Sequence, residues 1–276
     1  MIAQAIERER LARAERHLDS CWLCEHRCGV NRRAGDRGPC KAGPEARVFR
    51  HRVELGEEVE LIPSHLFYLS GCDLRCCFCI AEANAFNPSI GTTLDSEFLS
   101  AAISWGRTQG ARNIQWVGGE PTIHLPAILN AMADCEDLPP VVWKSDFYGT
   151  PAAFELLDGI ADVYVADFKF GNDDCAHRLA KVDRYVSVIT RNLKIATAQG
   201  DLIVRHLLLP GHFDCCYRPI VETLSHELPG VKFSIRSGFL PRWQANRYTE
   251  LSKPLDHEIT ARAFEFAASN GLTIVD

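Results

Sequence analysis

No apolar run in this chain reaches the roughly 18 to 20 residues that a membrane-spanning helix requires. Its opening, MIAQAIERERLARAERHLDS, is charged throughout and has no apolar core of the kind a secretory leader carries. These two absences predict a soluble, cytoplasmic protein with no membrane partner. A basic tract is missing as well: 30 Lys and Arg stand against 36 Asp and Glu, for a formal charge of −6, and nothing could track a phosphate backbone. Nucleic acid is therefore not an expected partner. No carboxylate pair or nucleophilic triad stands out. At 46% apolar and 24% charged, the 276 residues are neither disordered nor fibrous and suffice for one large domain with a small appendage.

What the chain does have is cysteine, 12 in all. In a reducing compartment so many cannot form a disulfide framework, which leaves metal ligation or buried free thiols. Seven fall into two groups: Cys21, Cys24, Cys28 and Cys40 in the first, Cys72, Cys76 and Cys79 in the second. Cys135, Cys175, Cys215 and Cys216 fall in or beside predicted helices and are expected to be buried thiols.

Residues 3–19 show an apolar stripe on a polar background, which predicts a surface helix. The glycine- and proline-rich segment 20–45 reads as a small metal-stapled module. A hairpin is predicted next, with alternation from Arg47, a turn at Gly56 and a second strand over 59–62. After Pro63, strand and helix patterns alternate. Strands are predicted over 65–70, 113–117, 141–144, 162–166, 202–209 and 231–235, with a last one over 273–275. Helices are predicted near 94–109, 123–135, 151–157, 183–198, 215–226 and 255–269. Alternating βα units make a mainly parallel sheet, and a complete eight-unit barrel takes about 250 residues. The expected fold is therefore α/β: a partial (β/α)6 TIM-like barrel over 63–276, preceded by a Cys-rich metal-binding extension over 1–62. In such barrels the chemistry gathers at the C-terminal strand ends.

Directly after the first barrel strand comes CDLRCCFC, with Cys72, Cys76 and Cys79 at gaps of three and two residues. Three thiolates on one loop can hold three irons of a 4Fe-4S cluster and leave the fourth open to a substrate; the other reading is a zinc knuckle completed by a distant ligand. Cys77 would alter those gaps and is taken as a packed thiol. With Phe78 just before the third cysteine, the motif resembles that of the radical SAM superfamily, and the resemblance extends over nearly the whole barrel. Gly118, Gly119, Glu120 and Pro121 resemble the family's GGEP segment, which implies binding of the methionine amino group of S-adenosylmethionine. The likeness is nearest to pyruvate formate-lyase activating enzymes and their PflX-type relatives. In ADFKF, Asp167 and Lys169 resemble that group's D-x-K element near the cofactor, the other reading being an exposed ion pair. Arg205 is a candidate for the cofactor's carboxylate. Phe78, Ile80, Ser145 and Asp146 complete the implied cofactor pocket, although Ser145 and Asp146 stand where many activating enzymes carry Thr and Asn. A histidine found after the sixth strand in that group has no clear counterpart in SIRSGFLPRW.

The resemblance implies reductive cleavage of S-adenosylmethionine at a 4Fe-4S cluster to a 5′-deoxyadenosyl radical that abstracts hydrogen from a substrate. It also implies an external one-electron donor of the flavodoxin or ferredoxin type. The hydrogen donor is either a glycyl-radical protein or a small molecule, as in cofactor biosynthesis. A noncatalytic iron-sulfur scaffold is the third reading. The run CWLCEHRCGVNRRAGDRGPC resembles PflX-type proteins too, and its Cys21, Cys24, Cys28 and Cys40 can close either a zinc site or a second 4Fe-4S cluster.

Overall fold

The computed structural model describes residues 6–56 and 58–275. In chain order its elements are α1 (Arg8–Asp19), β1 (Arg47–Glu54), β2 (Ser64–Leu69), α2 (Glu82–Ala85), β3 (Thr92–Thr93), α3 (Ser96–Thr108), β4 (Asn113–Gly118), α4 (Leu125–Ala133), β5 (Val141–Ser145), α5 (Pro151–Leu157), β6 (Val163–Asp167), α6 (Asp173–Ala180), α7 (Tyr185–Gln199), β7 (Asp201–Leu207), α8 (Arg218–Glu227), β8 (Lys232–Arg236), α9 (His257–Ser269) and β9 (Thr273–Ile274). Residues 3–5 of the expected first helix lie outside the described residues. Among the described residues no helix is long and apolar enough to cross a membrane.

One sheet runs in the order β3-β1-β2-β4-β5-β6-β7-β8-β9. The strands from β2 through β9 pair in parallel, while β1 is antiparallel to β2 and β3. β5 reads VVWKS and is buried at every position, as a strand covered on both faces must be. Tyr68 from β2 and Arg236 from β8 line one cavity although four strands separate them in the sheet. The sheet therefore wraps into an incomplete (β/α)6 barrel. Helix starts are set by side-chain caps that accept orphan N–H groups: Asp95 for α3, Thr150 for α5 and Asn172 for α6.

Two local expectations change. The partner of β1 is β2, not 59–62, which forms a single 3₁₀ turn. There Val59 is exposed, whereas Leu61 packs with Val142, Val165 and Ile203 at the N-terminal end of the barrel. A segment that must send one residue inward as a plug cannot run on as an edge strand. The second change is α6, an eight-residue helix not foreseen between the fourth and fifth barrel strands.

Candidate functional site

A cavity of about 480 Å³ opens at the C-terminal ends of the barrel strands. Cys72, Cys76, Phe78, Cys79 and Ile80 line it from the loop after β2, and Gly118, Gly119 and Glu120 from the turn after β4. Ser145 and Asp146 line it from the end of β5, Asp167 and Lys169 from β6 and its following loop, and Arg205 from β7. Cys77 is buried but does not line it.

The cysteine loop is fixed from two sides. The Cys77 N–H donates to Leu179 O at 2.8 Å and the Gln244 N–H to Cys77 O at 2.9 Å. The Arg75 guanidinium donates to Cys72 O and, across the N-terminal module, to Pro39 O, each at 2.6 Å. With its backbone held this way, the loop turns the three sulfurs to the cavity and leaves Cys77 packed. Burial pushes the Cys72 and Cys76 thiols far above the ordinary thiol range. They can ionise only beside a cation.

The two glycines after β4 are steric requirements. Gly118 has φ +115°, and a Cβ on Gly119 would lie 1.7 Å from Gly71 O. Only this close approach lets the turn lie against the cysteine loop. Next to it, the Glu120 carboxylate accepts from Thr122 N, Ser145 Oγ and Asp146 N, each at 2.8 Å. Burial and then the neighbouring Asp146 raise Glu120 to about 8. Asp73 is raised to about 7 by burial and Glu120, and Asp146 well above the carboxylate range by burial and Asp73. Glu120 and Asp146 thus line one wall, Asp73 packs close to Cys72 and Asp146, and the three buried acids favour a cationic group there.

The opposite wall is a web of charge pairs. Asp167 accepts from Arg205 Nε at 2.6 Å and from Lys169 Nζ at 2.7 Å. Burial opposes ionisation of Asp167, but Arg205 and Lys169 hold it far below the ordinary range. The Tyr185 hydroxyl accepts from Lys169 N at 2.8 Å and donates to Asp167 O at 3.2 Å, fixing the backbone between them. Below this wall, the fully buried Glu58 accepts from Arg236 at 2.7 Å and from Lys144 at 3.5 Å. Sequence reasoning missed Glu58, Lys144, Arg236, Tyr185 and Asp73. For Asp73 the signal was its place inside the cysteine motif; for Lys144 it was a charge in the strand VVWKS, and for Arg236 a charge at the C-terminal end of a barrel strand. Glu58, in a turn rich in Glu, gave none.

In the N-terminal module, Cys21, Cys24 and Cys40 are buried and Cys28 is partly so. Among them lies the Arg32 guanidinium, 2% exposed, which donates to Cys21 Sγ at 3.0 Å and Ile123 O at 2.6 Å and reaches Cys40 Sγ at 3.8 Å. Among the described residues no carboxylate pairs with Arg32, so sulfur anions are the counter-charge available to it. The module is also tied to the barrel: His26 Nε2 donates to Asp73 O at 3.0 Å, and Cys24 bridges Gly149. Glu25, wholly buried at its side chain, pairs with Arg27, Arg184 and Arg191. Of the remaining thiols, Cys175 and Cys216 are buried, Cys135 is half-buried, and Cys215 is exposed, contrary to expectation.

The residues present fit an iron-sulfur cluster in the barrel. Three soft donors that burial makes hard to ionise alone converge on one cavity, beside buried acids that form no ion pair among the described residues. The fold is that of radical SAM enzymes. It is similar to SuiB of Streptococcus suis bound to S-adenosylmethionine (TM-score 0.54, 14% identity, covering 74% of this chain and 47% of SuiB). It is also similar to a radical SAM methyltransferase from Sphaerobacter thermophilus (TM-score 0.50, 13% identity, 99% of this chain and 92% of that one). A third likeness is to TYW1 with a lysine-pyruvate adduct bound (TM-score 0.50, 12% identity, 75% and 74%). The chain spans about half the length of SuiB. No family model matches it. It belongs to the same family as the uncharacterized protein MJ0674 of Methanocaldococcus jannaschii, with which it is 34% identical over 268 residues, or 95% of this chain and 78% of that one.

Proposed function

We propose that this chain is a radical SAM enzyme. Cys72, Cys76 and Cys79 would hold a 4Fe-4S cluster, which would supply the electron for reductive cleavage of S-adenosylmethionine to methionine and a 5′-deoxyadenosyl radical able to take hydrogen from a substrate. The observation that carries this reading is the meeting of three cysteines, a two-glycine turn, an acidic wall and a basic wall in one cavity. A zwitterionic amino-acid group needs both walls. Glu120, Asp146 and the backbone of the glycine turn offer acceptors to its ammonium, and Lys169 and Arg205 offer charged donors to its carboxylate. Phe78, Leu207, Leu209 and Phe239 give the cavity an apolar lining that excludes water from a reactive carbon radical. An external flavodoxin- or ferredoxin-type electron donor and a cytoplasmic location belong to the same proposal, since free thiols and a low-potential reductant both call for a reducing compartment.

For the hydrogen donor we propose a partner protein, as in glycyl-radical activation. The support is an apolar rim at the cavity mouth, where Ile80 is 74% and Leu240 50% exposed. A small-molecule substrate is the second reading, favoured by Ser145 and Asp146 at the positions where the activating enzymes differ. The N-terminal cysteines are proposed as a separate zinc or 4Fe-4S site, with Arg32 balancing its thiolates.

The test is anaerobic reconstitution with iron and sulfide, reduction with dithionite and assay of 5′-deoxyadenosine. Replacement of Cys72, Cys76 or Cys79 by Ala abolishes its formation, and Cys77→Ala retains it. Cleavage that survives Cys76→Ala and disappears in Cys77→Ala overturns the ligand assignment, and none from the loaded wild type overturns the function. A protein-borne glycyl radical seen by electron paramagnetic resonance separates the two donor readings.

A further inference from the structure

Outside the cavity, one set of side chains has the spacing of a single metal ion. One ligand atom each from Cys175, His212 and Cys215 lies within 4.8 Å of the other two. The Cys175 and Cys215 sulfurs are 3.9 Å apart, close to the edge of about 3.8 Å that zinc–thiolate bonds of 2.3 Å impose on a tetrahedron. The three residues come from separate places that the fold brings together. Cys175 sits in the first turn of α6, where Asn172 caps the helix and donates to the Cys175 sulfur at 3.3 Å. His212 and Cys215 follow β7, and Phe213–Tyr217 is wound as a π-helix, a form that recurs at functional sites.

We propose that Cys175, His212 and Cys215 bind a zinc ion. The histidine is already prepared as a ligand. Its Nδ1 lies 2.8 Å from Pro210 O, which can only accept, so Nδ1 carries the proton and Nε2 presents its lone pair. That lone pair now accepts from Arg178 at 3.1 Å. Arg178 can yield it, because its other terminal nitrogen pairs with Glu250 at 2.7 Å. Two thiolates and a neutral imidazole leave a Zn²⁺ site with no net charge, which suits buried Cys175 and His212. Cys215 is exposed, so the fourth position faces water, with the Cys216 sulfur 4.0 Å from that of Cys215. None of the three ligands lines the barrel cavity, so the site stands apart from the radical chemistry.

The experiment uses the full chain with its iron loaded. Zinc is measured by elemental analysis in the wild type and in Cys175→Ser/Cys215→Ser, and alkylation of Cys215 by N-ethylmaleimide is mapped by mass spectrometry with and without one added equivalent of Zn²⁺. The double variant is expected to hold one zinc fewer with unchanged iron. In the wild type, added zinc slows Cys215 labelling at least about tenfold and a chelator restores it; His212→Gln raises the zinc concentration needed for that protection by more than the ten- to hundredfold typical of second-shell changes in metal affinity. Should the double variant fail to fold, the labelling of the wild type decides. Equal zinc content, or labelling indifferent to zinc, overturns the proposal. Loss of both thiols to a Cys175–Cys215 disulfide in reduced, zinc-supplied protein also overturns it.

Discussion

Asp167 and Arg205 stand opposite each other in the parallel register of β6 and β7, and the guanidinium Nε donates to the carboxylate at 2.6 Å. The other oxygen of that carboxylate takes Lys169 at 2.7 Å. One half-buried acid thus orients two cations at the cavity wall. Lys169→Ala and Arg205→Ala are each expected to weaken S-adenosylmethionine binding by about ten- to a hundredfold, the worth of one charge-assisted hydrogen bond, roughly 1.5 to 3 kcal/mol. Iron content should not change, since neither residue is a ligand. Equilibrium dialysis and iron analysis of both variants check this.

Gly119 gives a steric prediction. Its Cβ position lies 1.7 Å from Gly71 O, so Gly119→Ala must push the β4 turn off the cysteine loop. The variant is expected to lose cluster loading and to melt well below the wild type. Gly56→Ala, with open space around its Cβ position, should do neither. Iron stoichiometry and thermal melts of the pair separate a specific clash from a general cost of replacing glycine.

The parts of the fold that were legible in the sequence are those where one residue pattern answers to one environment. VVWKS reads as a covered parallel strand because every position is buried, and the strand ends carrying Asp167 and Arg205 follow from the alternation of βα units, with Lys169 in the loop just beyond β6. The turn at 59–61 was misread because its apolar residues do unlike things: Leu61 plugs the barrel while Val59 stays in water. Helix α6 is short and mostly polar outside its buried face, and its one clear mark is the cap at Asn172. Glu58 was invisible because its role is three-dimensional. A buried carboxylate needs cations, and Lys144 and Arg236 come from strands about 90 and 180 residues further on.

His65 and Glu58 each contribute stability that acid removes, against the opposite pull of Glu120 and Asp73, whose raised values let the folded chain take up protons first. Burial, and then the neighbouring His51, lower His65 from 6.5 to about 4. Between these values the unfolded chain binds a proton at this histidine that the folded one refuses, so the contribution of His65 falls as pH drops from 6.5 toward 4, by on the order of 3 kcal/mol. Glu58 is lowered from 4.5 to about 2 because Lys144, Arg205 and Arg236 outweigh its burial. Its contribution is present above pH 4.5 and is lost as pH falls toward 2. In urea denaturation from pH 7.5 to 4, the stability of the wild type relative to His65→Gln should fall as pH drops below 6.5. Glu58→Gln should cost about 3 to 5 kcal/mol at neutral pH, as expected when buried cations lose their partner.

The N-terminal cysteines lead to the last prediction. Four thiols can saturate a metal site, whereas the barrel loop presents three, so the first group should stabilise and the second should react. Cys21→Ala/Cys24→Ala removes one sulfur beside Arg32 and one next to the strand-like bridge to Gly149. The buried guanidinium then loses counter-charge, and the thermal midpoint should fall along with the metal content of one site. Stoichiometric zinc lost in the variant identifies a staple, and loss of about four irons identifies a second cluster. Cleavage of S-adenosylmethionine should persist at a reduced rate, because the barrel cavity keeps all of its own ligands. Full metal content in the variant would mean that these thiols are unligated. Complete loss of cleavage with an intact barrel cluster would instead make the module part of the chemistry or of its electron supply, a role compatible with the 3.0 Å contact by which His26 meets Asp73 beside Cys72.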